Sequence, residues 1–373
     1  MHLARETGRE IAAATVDHNL RSESAAEAKG VARQCAGLGV PHEILTWQEV
    51  PKGNLQSAAR DARIALLSEW AERRGLVGVA LGHTLDDQAE TVLMRLARGS
   101  GVDGLSGMAA RRRAGETLWL RPLLGVSRLE LRDYLEAKNV NWVEDPSNDD
   151  PGFDRVKARQ ALDVLAPLGI TASGLVETSA RMARARSALE TATLALARDA
   201  ATVDAAGCVT LSVDSLCQAE EEIALRLLAH SLCWVSGQPY RPRMSSLTRL
   251  HKAVQNNEKT TLHGVEVVSN QREVTLSREA SATGAPVRVG EVWDSRWVVA
   301  GDGGGQVRAL GQEGLISLPD WRDVTRSRTA AITTPAVWDG QELRAAPCLG
   351  LKNGYNARHV SGQAGYFDTI LSG

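Results

Sequence analysis

The first 145 residues alternate between short runs of strand-forming residues and longer segments in which apolar side chains have helical spacing. The strand-type runs are Ile11–Val16, His42–Trp47 and Leu76–Leu81. The helical segments begin near Ser24, Asn54 and Thr84. Strands that alternate with helices in this way predict an α/β domain built on a doubly wound parallel sheet.

Polar residues and glycines support the predicted helix boundaries. Capping-box spacing, in which an acid follows a hydroxyl residue by three positions, occurs at Ser24–Glu27, Thr84–Asp87 and Ser127–Glu130. Asn54 is predicted to cap a helix that ends at Arg74. Gly37–Gly39 and Gly75 lie where the predicted helices end, and glycine is common at helix C-termini.

The pattern changes after a loop at Glu144–Pro151, which is rich in Pro, Asn and Asp. A long Ala/Arg/Leu stretch from Ser173 to Ala201 predicts a connecting helix. Two helices and two strands are then predicted at Glu220–Val235, Met244–Val254, Thr261–Val268 and Glu273–Ser277. We therefore predict an α/β domain at 1–150, a basic linker with the long helix at 151–204, and a smaller α+β domain at 205–373.

Composition indicates an ordinary globular protein: hydrophobic residues make up 43% of the chain, charged residues 24%, and the formal net charge is −2. Nucleic-acid binding therefore needs local basic patches, such as Arg111–Arg113. The five cysteines lack metal-site or disulfide spacing, which favours a reducing cytosol. Without a signal-peptide pattern or an apolar run of roughly 18 residues, we expect a soluble cytoplasmic protein that does not contact a membrane.

Candidate chemistry is concentrated where the third predicted strand ends. Gly82 and His83 follow that strand, and Asp86, Asp87 and Glu90 lie in the first turns of the next helix. Because ligands of α/β sheets bind beyond the carboxyl ends of strands, these groups are candidates for a nucleotide site. Asp86 and Asp87 are the candidate ligands of Mg²⁺. The alternative is that acids in a first helical turn only complement the helix dipole.

Arginines at helical spacing supply the charge that phosphate binding needs, because a planar guanidinium donates two hydrogen bonds at once. Arg60 and Arg63 are three residues apart, and Arg155 and Arg159 are four apart. Arg98 is a further candidate. The alternative for each of these arginines is a solvated surface.

Together these residues resemble the tRNA(Ile)-lysidine synthetase family, which belongs to the N-type ATP pyrophosphatase, or PP-loop, superfamily. The similar segments are Val16–Arg21, Asn54–Arg63, Gly82–Thr91, Arg98–Gly101, Arg121–Leu124, Trp142–Asn148 and Phe153–Arg159. Pro239–Arg243 and Thr261–Gly264 are similar, less specifically, to the tRNA-binding extension of that family. The resemblance implies an adenine nucleotide α-hydrolase-like fold.

The resemblance also implies a tRNA-modifying ligase that uses ATP and Mg²⁺. ATP adenylates the carbonyl at carbon two of the wobble cytidine in a tRNA(Ile) with a CAU anticodon. The ε-amine of L-lysine then displaces AMP and leaves lysidine. A homodimer is compatible with this function.

Roles for individual residues follow from the same resemblance. The catalytic centre is expected to contain His83, Asp86, Asp87, Glu90, Arg63 and Arg155. The adenine nucleotide is expected to contact Asp17, His18, Gly82 and His83. The tRNA is expected to contact Arg60, Arg98, Arg159, Arg241 and Arg243.

One family motif does not occur in the 373 residues. The phosphate-binding loop Ser-Gly-Gly-x-Asp-Ser and the strand before it are expected ahead of Ile11, whereas residues 1–10 resemble the end of the helix that follows the loop. Because the backbone N–H groups of that loop hold phosphate, we expect the chain to bind ATP weakly. The alternative function is a non-catalytic tRNA-binding protein. A tRNA thiolase of the same superfamily is less well supported, because Cys35 is the only cysteine in the first 200 residues.

Overall fold

The chain folds into two compact units, Met1–Ala183 and Arg184–Gly373. The computed structural model describes residues 1–18, 24–48, 55–115, 117–142, 152–362 and 365–372. The sequence-based interpretations of Leu20, Arg21, Asn54 and the loop Glu144–Pro151 lie outside the described residues. The predicted division at residues 150 and 204 stays a prediction.

The first unit alternates strands and helices. Its elements are α1 (His2–Glu6), β1 (Ala13–Asp17), α2 (Ser24–Gly37), β2 (His42–Thr46), α3 (Leu55–Arg73), β3 (Val79–Ala80), α4 (Leu85–Ala97), α5 (Val102–Leu105), β4 (Arg111–Ala114), β5 (Thr117–Leu120), α6 (Arg128–Ala137) and α7 (Asp154–Leu165). Strand β1 pairs with β2 in parallel, β3 pairs with β5 in parallel, and β4 pairs with β5 antiparallel. The predicted parallel α/β architecture is confirmed.

One apolar core connects the strands of the first unit to helix α3. Leu67 and Trp70 of α3 are buried together with Leu45 of β2, Val79 of β3 and Trp119 of β5. The helix therefore covers one face of these strands. Its first turns lie near the carboxyl ends of the strands, since a helix between parallel strands runs back along the sheet.

One local prediction for the first unit is wrong, and one hairpin was missed. The third strand is shorter than Leu76–Leu81, because the Leu76 N–H bonds to the Ala71 carbonyl oxygen and closes helix α3. The hairpin of β4 and β5 is not predicted, because Arg111–Arg113 indicates a basic patch in the sequence and forms a strand in the structure.

The predicted long helix is confirmed as α8 (Ala172–Ala200). The helices of the second unit are α9 (Val213–Gln218), α10 (Glu221–Ser236), α11 (Met244–Gln255), α12 (Gly311–Ile316), α13 (Arg328–Ile332) and α14 (Gly365–Asp368). The strands are β6 (Ala201–Val203), β7 (Val209–Ser212), β8 (Lys259–Leu262), β9 (Val265–Ser269), β10 (Glu273–Arg278), β11 (Val287–Arg288), β12 (Val292–Trp293), β13 (Trp297–Gly301), β14 (Gln306–Ala309), β15 (Pro335–Asp339), β16 (Glu342–Ala345) and β17 (Tyr355–His359).

The second unit has the predicted α+β composition. Its largest sheet has the strand order β6-β7-β10-β9-β8 and is antiparallel. Helix α10 packs on this sheet and buries Leu227, Leu228 and Leu232 in the same core as Val267 and Leu276. The core explains why these elements form one unit.

The prediction of a single strand at Thr261–Val268 is wrong. His263 and Gly264 have φ angles of 61° and 70° and form a tight turn between β8 and β9. A two-residue loop with positive φ at both positions reverses the chain into a hairpin. The alternation of residue types continues through the turn, so the pattern alone does not show the reversal.

No single helix in the part of the chain that the structure describes has both the length and the apolar character needed to cross a membrane. One pair, Asp154–Leu168 with Ala172–Ala200, passes that test together by length and composition, with a bend of 97° between its helices.

Candidate active site

The N-terminus of helix α4 is fixed directly behind strand β3 by a capping box. The Thr84 side chain accepts a hydrogen bond from the Asp87 N–H. In return, Asp87 Oδ2 accepts bonds from the Thr84 N–H at 2.8 Å and from its hydroxyl at 2.9 Å. The predicted cap is confirmed, and it orients one carboxylate group of the candidate site.

Arg128 connects all three acids of helix α4, and sequence reasoning missed it. Its backbone N–H donates to Asp86 Oδ2 at 2.7 Å, and its Nη2 donates to Asp87 Oδ1 at 2.9 Å. The same Nη2 lies 3.3 Å from Glu90 Oε1. A signal was available in the sequence: Arg128 is the first residue of a helix that follows a predicted cap, which places it at the same edge of the sheet as α4.

Glu90 is the most buried acid of the candidate site, with 1% of its side chain exposed. Its Oε1 accepts a hydrogen bond from Arg159 Nε at 3.1 Å. Its Oε2 is buried and has no hydrogen-bond partner among the described residues. A buried carboxylate oxygen without a donor is costly in free energy, so this oxygen is an available acceptor for a bound cation or ligand N–H.

Helix α7 places Arg155 beside the same acids, with Arg155 Nη1 at 3.7 Å from Asp87 Oδ1. Burial on its own raises the pKa of Asp87, but the hydrogen bonds from Thr84 and the charges of Arg128 and Arg155 outweigh this effect. The pKa of Asp87 therefore lies below its ordinary value, and the carboxyl group is ionised at neutral pH.

The charges of Arg121, Arg155, Arg63 and Asp87 all act on His83. Burial, helped by the positive charges of Arg121, Arg155 and Arg63, lowers the pKa of His83 from 6.5 to about 4, while Asp87 opposes this shift. Its Nδ1 is buried without a partner in the described part of the chain. The imidazole is consequently neutral at neutral pH, in a region of positive potential.

The end of strand β1 belongs to the same region. Burial and the charge of Arg63 lower the pKa of His18. Asp17 Oδ1 accepts a hydrogen bond from the Ser24 hydroxyl at 2.8 Å. Ser24, which the sequence predicts as a helix cap, is the first described residue of α2 and uses its side chain to hold Asp17. Partial desolvation, Arg155 and Arg60 lower the pKa of Arg63, so Arg60 also lies near this group.

Arg98 lies elsewhere in the first unit, although the sequence predicts a tRNA contact for it. It caps the C-terminal end of α4, so the length of that helix separates it from Asp87. Its Nη2 pairs with Asp154 Oδ2 at 3.1 Å, and both side chains are more than half exposed. Gly82 is exposed and precedes His83 in the loop after β3.

Arg241 and Arg243 lie in the second unit, on the loop between α10 and α11. Both are exposed, and the neighbouring Tyr240 is 81% exposed. The Tyr240 carbonyl oxygen accepts a hydrogen bond from Cys233 Sγ at 3.5 Å, and its backbone also bonds to His263. The two segments of the predicted tRNA-binding extension are therefore in contact.

The carboxylates do not fit a metal ion that the protein holds by itself. Within the described ranges, no three His, Cys, Asp or Glu side chains form a group that could hold a metal. Thr84 and Arg128 occupy both oxygens of Asp87, and the Arg128 backbone occupies one oxygen of Asp86. The metal-binding role of Asp86 and Asp87 stays a prediction.

Comparison with known proteins gives matches to both units. Residues 1–165 match the family described as the PP-loop domain. The chain is 47% identical over 366 residues to the tRNA(Ile)-lysidine synthase of Ruegeria pomeroyi, a match that covers 97% of this chain and 87% of that protein. It is 33% identical over 384 residues to the tRNA(Ile)-lysidine synthase of Rhizobium meliloti, covering 98% and 82% of the two chains.

Among solved structures, the chain is similar to a U34-tRNA thiolase from Methanococcus maripaludis that carries a [4Fe-4S] cluster. The TM-score is 0.41 at 18% sequence identity, and the similarity covers 49% of this chain and 66% of that one.

Proposed function

Because the chain belongs to the tRNA(Ile)-lysidine synthase family, we propose that it is an ATP-dependent ligase that joins lysine to the wobble cytidine of tRNA(Ile). Both relatives carry the name of this enzyme, and each match extends over most of both chains. This supports the enzyme over the alternative of a non-catalytic tRNA-binding protein.

The proposed reaction has two steps. The carbonyl oxygen at carbon two of the cytosine attacks the α-phosphorus of ATP, and pyrophosphate leaves. The unprotonated ε-amine of lysine then attacks carbon two, a C–N bond forms, and AMP departs with the former carbonyl oxygen. The products are lysidine-containing tRNA, AMP and pyrophosphate.

The observation that carries this proposal is the cluster of Arg128, Arg155 and Arg159 around Asp87 and Glu90. The charges of Arg63, Arg121 and Arg155 also act on the neighbouring His83. Adenylation concentrates negative charge on phosphate oxygens, and fixed guanidinium groups stabilise such charge in a partly buried site. The neutral His83 imidazole can donate one hydrogen bond to the same oxygens. Its low pKa makes it a poor base, so we assign it binding of phosphate rather than removal of a proton.

Glu90 is the proposed contact for the α-ammonium group of lysine, since the ε-amine reacts in its unprotonated form. Its Oε2 is a buried acceptor without a donor among the described residues, and a charged donor forms the strongest bond with such an oxygen. Arg155, which is exposed on one side, is the proposed contact for the lysine carboxylate. Mg²⁺ is proposed to enter with the phosphates of ATP, because it commonly binds through substrate phosphates and one or two carboxylates.

A cytoplasmic location follows from the proposed tRNA substrate. A homodimer stays a prediction.

The test is an assay with radiolabelled lysine and ATP on a tRNA(Ile) transcript with the CAU anticodon. The protein is used as the 373-residue chain and with a segment bearing Ser-Gly-Gly-x-Asp-Ser joined in front of it. We expect AMP, and repeated release of pyrophosphate, only when tRNA and lysine are both present, and no product with a transcript that differs only in U at the wobble position. With tRNA but no lysine, pyrophosphate is expected only in the amount of adenylated tRNA. Release of ADP and phosphate contradicts adenylation, and lysine transfer to the U transcript contradicts the cytidine assignment.

A further inference from the structure

The hairpin of β4 and β5 carries arginine on two different faces. Arg111, Arg112 and Arg113 are all exposed. Arg112 stands directly opposite Trp119 in the strand register, and residues that face each other across an antiparallel pair point to the same side. Side chains alternate along a strand. Arg112 therefore lies on the Trp119 face, whereas Arg111 and Arg113 lie on the other.

Arg121 extends the Trp119 face beyond the end of β5. It comes two residues after Trp119, and its N–H still bonds to the Ala110 carbonyl oxygen at 2.9 Å. Its Nη1 donates to the Ala109 carbonyl oxygen at 2.9 Å, while its Nε is buried without a partner among the described residues. The hairpin thus fixes the position of Arg121 and uses only part of its hydrogen-bonding capacity.

Helix α3 covers the same face and brings two more arginines. Trp119 packs in one core with Leu67 of α3. Arg63 and Arg60 precede Leu67 by four and seven positions, so they share its side of the helix. Because the first turns of α3 lie at the carboxyl end of the strands, Arg60 and Arg63 lie toward Arg121 and His83.

The charges of these residues act on one another. Burial and the charges of Arg112 and Arg60 lower the pKa of Arg121. The charges of Arg155 and Arg60 act on Arg63 in the same direction. Neighbouring like charges destabilise each other, and a bound polyanion relieves that repulsion.

We propose that Arg112, Arg121 and Arg60 form a basic row that binds the ribose-phosphate backbone of the RNA strand whose base reaches His83. This inference rests on the proposed function. A single nucleotide bound at His83 would not account for the arginine at position 112, which is exposed on a strand. An RNA strand can reach both His83 and Arg112, because it carries one phosphate charge for each nucleotide.

The test measures binding of a fluorescent tRNA(Ile) transcript to the chain by anisotropy across a salt series. Arg112→Ala is compared with Arg111→Ala, which removes the same charge from the opposite face of the same strand. Loss of one phosphate contact with a single strand reduces the slope of log K against log salt by about 0.7. The ratio of the tRNA-binding constant of the unmodified chain to that of Arg112→Ala therefore falls about threefold between about 50 and about 200 mM salt. Arg111→Ala keeps the original slope.

Arg60→Ala on α3 is a second variant from a different element, and we expect the same reduction in slope. Arg112→Lys keeps the point charge and should retain most of the binding. Equal slopes for Arg112→Ala and Arg111→Ala, whether both fall or neither falls, overturn the basic row. If no lysidine forms but only Arg112→Ala has a reduced salt dependence of tRNA binding, the basic row is supported and the proposed function is wrong. If lysidine forms but Arg112→Ala and Arg111→Ala have equal slopes, the proposed function is supported and the basic row is wrong.

Discussion

At the scale of single residues, Asp87 has two tasks. It completes the cap of helix α4 with Thr84, and it pairs with Arg128 and Arg155. The first task stabilises the fold and the second orients charge in the candidate site. A substitution that keeps the shape of the side chain but removes its charge separates these tasks, because an amide oxygen still accepts hydrogen bonds.

We predict that Asp87→Asn lowers lysidine formation about 100-fold or more, the usual loss when one preorganised electrostatic contact is removed from an active site. Binding of tRNA should stay close to that of the unmodified chain. The control is Glu130→Gln, the same kind of change in the exposed capping box of α6, which should leave turnover unaltered. Comparable turnover in the two variants removes Asp87 from the site.

His83 gives a prediction about pH. Its pKa in the folded chain is about 4, against an ordinary value of 6.5. Between these values the unfolded chain binds more protons than the folded one, so the free energy of unfolding falls as the pH drops through this window and is independent of His83 above it. We predict that His83→Gln flattens this dependence in urea denaturation series at several pH values.

His230 and His359, whose pKa values are also about 4, are present in both the unmodified chain and the His83→Gln variant. The difference between the two pH dependences therefore isolates the contribution of His83. NMR titration of the His83 ring checks the same point directly. A midpoint near 6.5 contradicts the structure.

Most residues of the candidate site could be predicted from the sequence, and the reason is geometric. His83, Asp87 and Glu90 follow a strand end and a helix cap, which are local signals. The predicted helix start at Arg128 is a local signal for the edge of the sheet, but its contacts with the acids of α4, like those of Arg121, depend on how β5 and α6 lie beside β3 and α4. That arrangement is set by tertiary packing, which no local spacing reports.

At the scale of elements, the N-termini of α4 and α6 form one joint. The Leu85 N–H bonds to the Val126 carbonyl oxygen at 2.9 Å, and Arg128 bonds to all three acids of α4. Removal of the Arg128 side chain leaves Asp87 and the buried Glu90 with fewer partners. An ionised group that loses its partner in a buried position destabilises the folded state.

We predict that Arg128→Met lowers the free energy of unfolding of the first unit by about 1–3 kcal/mol, measured by chemical denaturation. Arg132→Met, which removes the same charge one turn further along α6 from an exposed position, should change it much less. Addition of Glu90→Gln to Arg128→Met should recover part of the loss, because it removes a buried carboxylate that has lost one of its two arginine partners and keeps only Arg159. If Arg128→Met and Arg132→Met have the same free energy of unfolding, the contacts of Arg128 between α4 and α6 do not stabilise the first unit.

The helices could be predicted better than the strands for a physical reason. Capping residues and terminal glycines mark where α4 and α6 begin and where α2 ends, and these signals are local. The β8–β9 turn, in contrast, has His263 at a positive φ angle, a conformation that only a few per cent of non-glycine residues adopt. The local signal for that turn is Gly264, and a single glycine inside an alternating run does not establish that the chain reverses there.

At the scale of the whole molecule, both units present arginine to solvent, which agrees with the prediction that RNA binding needs local patches on a chain of net charge −2. In the second unit the patch is the loop with Tyr240, Arg241 and Arg243. Its backbone is held by Cys233 and His263, so its side chains are presented from a fixed loop.

We predict that Arg241→Ala weakens binding of tRNA(Ile) to the chain and reduces the slope of its salt dependence by about 0.9 for each lost phosphate contact. Arg326→Ala is the control, because its side chain is 92% exposed in the same unit and lies outside this loop. The measurement is fluorescence anisotropy over a salt series. An unchanged slope for Arg241→Ala identifies the loop as solvated surface.

The double task of Asp87 has a consequence for how such proteins diverge. A descendant that abandoned the chemistry would still be under selection to keep a capping side chain, Asp or Asn, at this position, since the helix start depends on it. The residue would then persist as an inherited part of the scaffold, long after its catalytic use had ended. Glu90 takes no part in the cap and is held by its ion pairs with Arg128 and Arg159, so its identity is the better record of whether a lineage still carries out the reaction.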